Sequence, residues 1–201
     1  MADSAKQSKP ARQLPSTFAN MVLVMTILSV LSAGALGLTY TGTFEQIAIN
    51  GLAKQKVALS VVLPAFTNDP VNEALVAAGD ERITLYPAEN NGQMVGLGVQ
   101  SYSDTAFGGT MTVMVGFDTQ GAIAKTQVLV HTETPGLGSK VTLSSFISQF
   151  EGLGASSFPL AVAKDGGEVD AITAATISSR AYTDAINKAQ VAAATFYQEI
   201  Q

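Results

Sequence analysis

Two short stretches of the chain gather residue types that could hold a phosphorylated ligand. The first is Asp170-Ala171-Ile172-Thr173-Ala174-Ala175-Thr176-Ile177-Ser178-Ser179. Thr173 is placed to cap a helix, which would put Ala174, Ala175 and Thr176 in its first turn. N–H groups in a first turn lack intrahelical partners, and the helix dipole is positive there. A phosphate is stabilised at such an end. Two small residues would let it approach closely, and the hydroxyls of Thr173, Thr176, Ser178 and Ser179 would add donors. The same pattern, taken alone, also serves plain helix capping.

The second stretch is His131-Thr132-Glu133-Thr134-Pro135-Gly136-Leu137-Gly138-Ser139-Lys140. Pro135 fixes one φ angle, and Gly136 and Gly138 permit conformations closed to other residues. The result is a shaped loop at a strand end, where ligand contacts often lie. An ordinary turn is the other reading, and His131 reads equally as a packed or exposed residue.

Composition narrows the chemistry. There is no cysteine and one histidine, His131. Disulfides, thiolate catalysis and cysteine-held iron–sulfur clusters are excluded, as is a multi-histidine zinc or copper site. Redox chemistry would have to come from a cofactor held by other groups. The formal net charge of −5 opposes a nucleic-acid partner. No G-x-G-x-x-G follows a strand, so nicotinamide-dinucleotide binding is not expected.

Charged residues make up only 13% of the chain, and none lies between Arg12 and Glu45. From Phe18 to Tyr40 the chain reads FANMVLVMTILSVLSAGALGLTY. About 20 apolar residues rising ~1.5 Å each span ~30 Å, one hydrocarbon core. The basic residues Lys6, Lys9 and Arg12 precede the run, so the positive-inside rule places the N-terminus in the cytoplasm and the rest outside. Ala33-Gly34-Ala35 also fits a signal-peptide cleavage pattern. The apolar stretch continues through Leu36 and Leu38, which favours a retained anchor. The division expected is a disordered polar tail at 1–16, a transmembrane helix at 17–40, a helical connector at 41–79 and a domain at 80–201.

Within the connector, 44–63 reads as a helix ended by Pro64, and 69–78 as a short helix with Asp69 as cap and Pro70 at its first position. Strand signals follow at 83–86, 94–99, 110–117 and 122–130. Asn91-Gly92 is a strong hairpin turn, and 118–121 is a second turn. Beyond 131 a short helix is expected at 142–150, a strand at 159–163, and a final helix at 174–197 with Ile177, Ala181, Ala185 and Ala189 on one face. The fold class is α+β: one N-terminal transmembrane helix, then a twisted antiparallel sheet with flanking helices.

HTETPGLGSK at 131–140, together with DAITAATISS at 170–179 behind one N-terminal span, resembles the FMN-binding domain in the G subunit of the Rnf electron-transport complex. The C subunit of the sodium-pumping NADH:quinone oxidoreductase shares the same domain. The resemblance covers the anchor and 80–195. Asn20-Met21-Val22-Leu23-Val24 and the short exported domain resemble the Rnf protein more. The family's flavinylation motif ends in Ser/Thr-Gly/Ala-Ala-Thr, and Thr173-Ala174-Ala175-Thr176 fills it. Ala174 stands where glycine is frequent and is expected to suit a helical turn.

The resemblance implies one covalent FMN, held through its phosphate on Thr176. It implies a maturation partner, a flavin transferase that uses FAD and divalent metal, for which Asp170 is a candidate recognition residue. The loop from Glu133 through Gly136 and Gly138 to Lys140 would flank the isoalloxazine ring. Thr134 and Leu137 are candidates for ring contact, and Lys140 for placing charge near it. The implied role is that of an electron carrier, not a complete enzyme, within an ion-translocating ferredoxin:NAD⁺ oxidoreductase. It would sit in the bacterial inner membrane with its FMN domain on the periplasmic side, among the other Rnf subunits. The alternatives are the equivalent sodium-pump component, a membrane-tethered module binding a phosphorylated ligand without redox chemistry, and a structural component with a vestigial site.

Overall fold

The computed structural model describes residues 17–200; the expected disordered tail at 1–16 and its basic residues lie outside these. The chain divides into two compact units between Ile49 and Asn50.

Helix α1 runs Phe18–Val62 without a break at Tyr40. Its apolar window has a mean hydropathy of 2.2 and buries no residue within the protein. Two hydroxyls inside this stretch are satisfied internally: Thr26 donates to the Val22 carbonyl and Ser29 to the Met25 carbonyl, each at 2.8 Å. These hydroxyls need no water, as suits a lipid-crossing helix.

Only the last turns of α1 meet a core of their own unit. Ala58, Leu59, Val62 and Leu63 pack on Tyr86, Ala88 and Met114. The chain then passes Pro64 and makes one turn at Asp69, whose carbonyl accepts from the N–H groups of Asn72 and Glu73. The helix expected over 69–78 does not form. Lys56 takes the Asp69 carboxylate at 2.8 Å, and 75–77 pairs with the sheet instead.

That sheet is a five-stranded antiparallel meander in the order β1-β2-β3-β4-β5. Its strands are Leu75–Ala77, Asp80–Asn90, Gln93–Ser103, Met111–Phe117 and Ile123–Val130. The β2–β3 turn is Asn91-Gly92, both residues at positive φ (52° and 77°), as the twist-matched hairpin turn demands. The opposite face carries the larger core. Leu97, Val99, Val113, Val115 and Phe117 pack there with Phe146, Phe150 and the final helix, Thr176–Glu199, called α3. With both faces covered, β4 is apolar nearly throughout rather than alternating. At Gly116 a Cβ would collide with the Val62 carbonyl, so a side chain there would drive the end of α1 off the sheet.

Ala181, Ala185 and Ala189 of α3 are fully buried, as their spacing predicts, but Ile177 is 47% exposed. Tyr182 is buried instead, against Phe146 and Phe150 with ring centroids 5.2 and 5.0 Å away. Its hydroxyl bonds Thr126 at 2.6 Å, and burial holds its phenol well above the usual tyrosine range. The region expected as a helix at 142–150 is broken into a 3-10 turn Gly138–Thr142, the one-turn helix α2 Ser144–Ile147 and a further 3-10 turn Ser148–Phe150. The strand expected at 159–163 is reduced to a single bridge between Val162 and Val169.

Candidate functional site

Two chain reversals and one helix start converge on a cavity of about 350 Å³, within the usual range for small-molecule sites. Phe107, Glu133, Thr134, Leu137, Gly138 and residues 174–178 line it.

The first wall is the loop after β5. Its Thr134 carbonyl accepts from the N–H groups of Leu137 and Ser139, and the Ser139 hydroxyl accepts from the Gly136 N–H at 3.0 Å. The loop is thus closed on itself by its own polar groups, with Gly136 at φ 76°. Glu133, only 5% exposed, anchors it. One carboxylate oxygen accepts the Gly108 N–H at 3.1 Å, and the other accepts the Ser178 hydroxyl at 2.6 Å. A single buried carboxylate therefore joins the β3–β4 loop, the post-β5 loop and the start of α3. Gly138 passes directly over this junction, where a Cβ would collide with both Glu133 and Ser178.

The second wall is 172–178. The start of α3 differs from the capped helix expected. The residue before its first turn is Ala175, at φ −136° and ψ 40°, and no side chain caps it. Thr173 is exposed and makes no cap. Ala174 is in the left-handed region at φ 62°, so it does not sit in a helical turn, and a glycine would suit the position better. The kink is braced from inside. Buried Ser179 accepts the Ile172 N–H at 3.0 Å and donates to the Ala175 carbonyl at 3.1 Å. The effect is to make Thr176 the first helical residue, half-buried and lining the cavity.

Of the residues expected at the site, Glu133, Thr134, Leu137, Gly138, Ala174, Ala175, Thr176 and Ser178 line the cavity together. Ser179 braces the wall from behind, Gly136 shapes the loop, and Thr173 and Lys140 are outside the lining. Asp170 is exposed, its backbone bonded on both sides by the Gln149 amide at 2.8 and 3.4 Å.

Three contributors lie outside the expected set: Phe107, Ile177 and Lys164. Phe107, 69% exposed, stands at the cavity with Leu137 and Ile177, which are 43% and 47% exposed. These three apolar side chains at an open mouth suit a flat aromatic ligand. Lys164, on the 3-10 turn Ala163–Asp165, donates to the Thr176 hydroxyl at 3.1 Å. No local signal marks either Phe107 or Lys164, since both arrive from loops outside the two motifs. Apolar side chains and the Thr176 hydroxyl in one lining fit FMN, whose flat ring has large apolar faces and whose phosphate is anionic.

A model of the FMN-binding domain matches residues 107–191. The G subunit of the ion-translocating oxidoreductase complex of Methanosarcina acetivorans is 34% identical over 173 residues, covering 84% of this chain and 90% of that one. The protein of the same name from Vibrio cholerae is 30% identical over 179 residues, covering 83% and 86%. That of Stutzerimonas stutzeri is 35% identical over 176 residues, covering 83% and 77%. Among solved structures, Shewanella oneidensis NqrC aligns with a TM-score of 0.48 at 18% identity, covering 68% of each chain. The C subunit of the Na⁺-translocating NADH-quinone reductase from Parabacteroides distasonis aligns with 0.49 at 21% identity, covering 65% and 68%.

Proposed function

We infer the function from one premise: the chain belongs to the family of G subunits of ion-translocating oxidoreductase complexes, and it carries that family's FMN-binding domain. It is a single-pass, membrane-anchored flavin electron-transfer protein, and its partners are other subunits of such a complex.

The finer reading is that one FMN is held covalently as a phosphoester of Thr176. The observation that carries it is the setting of that hydroxyl. Among the described residues, three with hydroxyls line the cavity. Ser178 is buried and committed to Glu133, and Thr134 belongs to the loop wall. Only Thr176 joins a helix N-terminus, where anions are favoured, with a cation bonded to its oxygen. FAD would be the donor, on a transferase. The Thr176 oxygen bonds to the flavin-side phosphorus, and the pyrophosphate bond breaks. AMP leaves with the bonding pair, and the hydroxyl proton passes to a base of the transferase. Asp170, exposed beside the motif, is the proposed recognition point for that enzyme.

FMN supplies the one- and two-electron chemistry, and the chain's residues bind and position it. Phe107, Leu137 and Ile177 would shield the ring's faces from water, with the Thr134 hydroxyl at its rim. Lys140, from just beyond the lining, would add positive charge near the ring. Glu133 holds the walls together without needing to touch the ring. The basic residues before the span support a domain on the extracytoplasmic side, relaying electrons for an Rnf-type ferredoxin:NAD⁺ complex.

The test is co-expression of the chain with a flavin transferase, followed by denaturing electrophoresis under ultraviolet light. A fluorescent band that vanishes in Thr176→Ala supports the reading. A dark wild-type band, beside a transferase active on another substrate, would leave only reversible binding of a phosphorylated ligand.

A further inference from the structure

We propose that Lys164 is the phosphate-anchoring residue of this site: it orients the Thr176 hydroxyl before ester formation and neutralises the phosphodiester afterwards. The proposal rests on the flavin reading above.

Four observations converge. The ammonium donates to Thr176 Oγ1 at 3.1 Å, so it already lies where the ester would form. Among the described residues, the cavity lining contains no lysine or arginine, and it does contain the Glu133 carboxylate. An anionic diester inside it therefore needs a cation from elsewhere. Competition from neighbouring charge is weak: Lys164 is the smallest of the influences on the Asp165 carboxyl. The adjacent carboxylate, Asp165, is held by Arg180 through two bonds of 2.6 Å, and that pairing keeps its carboxyl below the usual range. Among the described residues no carboxylate forms an ion pair with Lys164 itself.

The fourth observation is the rigidity of the platform. The Lys164 turn is tied to the strand-like bridge by Ala163 N–H to the Val169 carbonyl at 2.9 Å and Val169 N–H to the Ala161 carbonyl at 3.1 Å. Arg180 lies one helical turn beyond Thr176, so its grip on Asp165 fixes the turn against the same helix that carries the acceptor hydroxyl. The lysine is thus positioned from both ends of its own turn.

Lys164 acts on the ester-forming step given above without gaining or losing an atom. Its ammonium occupies one lone pair of Oγ1, fixes the side chain's direction, and stabilises negative charge as the proton leaves and the O–P bond forms. Afterwards the same ammonium faces the non-bridging oxygens of the diester as a charge-assisted donor.

The experiment uses the full chain in detergent, with FAD, the transferase and divalent metal. Initial loading rates are followed by in-gel fluorescence for wild type, Lys164→Gln and Lys164→Arg, and the phosphorus NMR resonance of each fully loaded protein is recorded. The expected result is a fall of about tenfold in loading rate for Lys164→Gln, of the size of one charge-assisted hydrogen bond. Unloaded melting should be unchanged, Lys164→Arg should recover most of the rate, and the diester resonance should shift in the glutamine variant. Wild-type loading in Lys164→Gln overturns the proposal and leaves the flavin reading intact. Slow loading with an unshifted resonance also overturns it, because the transferase rather than the phosphate would then be reading the lysine. A wild type that stays dark overturns both readings.

Discussion

The two walls of the cavity solve opposite problems. The Glu133 wall is closed by a buried carboxylate shared among three chain segments, and its hydroxyl partner Ser178 is consumed in doing so. The Thr176 wall keeps its hydroxyl at the cavity with Lys164 as its donor, is braced from behind by Ser179, and tolerates a left-handed alanine. One wall commits its polar groups to shape, and the other keeps one available for chemistry. Strain and exposure belong with the second kind of wall, and saturated hydrogen bonding with the first.

The largest effect that would sharpen this contrast is Thr176→Ala. It should abolish covalent flavin while shifting the melting temperature little, as read by gel fluorescence beside a thermal melt. Next is Glu133→Gln. An amide nitrogen cannot accept a bond, so one buried donor, the Gly108 N–H or the Ser178 O–H, loses its partner. The cost should be about 1–3 kcal/mol, lowering the melting temperature by several degrees while loading at permissive temperature persists. A Glu133→Gln protein as stable as wild type would break the contrast.

Ala174→Gly should act in the other direction. Relief of the left-handed alanine, set against the greater freedom of glycine when unfolded, should stabilise the domain by about 0.5–1 kcal/mol. Thermal melting checks it, and a destabilised variant would show that the φ of 62° is not strained. The smallest effect concerns acid. The Arg180 guanidinium lowers the Asp165 carboxyl from its ordinary 3.8. The stability this pair contributes is therefore present above about pH 4 and lost as pH falls through the lowered value. Asp165→Asn should flatten the pH dependence of melting below about pH 4.

What the sequence shows follows the range of the forces involved. The charge-free run from Phe18 and the Asn91-Gly92 turn were legible because composition or a two-residue conformation decides them. Both motifs stand out by residue type, and eight of the residues expected at the site line one cavity. The helix expected at 69–78 failed because Asp69 and Pro70 signal only a first turn; pairing of Leu75–Ala77 with β2 outweighs its continuation. Thr173 had the right type for a cap, but backbone reversal at Ala174 moves the helix start to Thr176. Phe107 and Lys164 reach the site through tertiary packing alone, and no periodicity or spacing announces them.

The proposed attachment of the flavin to Thr176 itself can be read directly by mass. Tryptic digestion of the protein matured with its transferase should release the peptide that follows Lys164 and ends at Arg180. Mass spectrometry with fragmentation should find it heavier by FMN less one water, with the added mass on Thr176. The same peptide at its unmodified mass, from protein that is nonetheless yellow, would show that Thr176 does not carry the flavin.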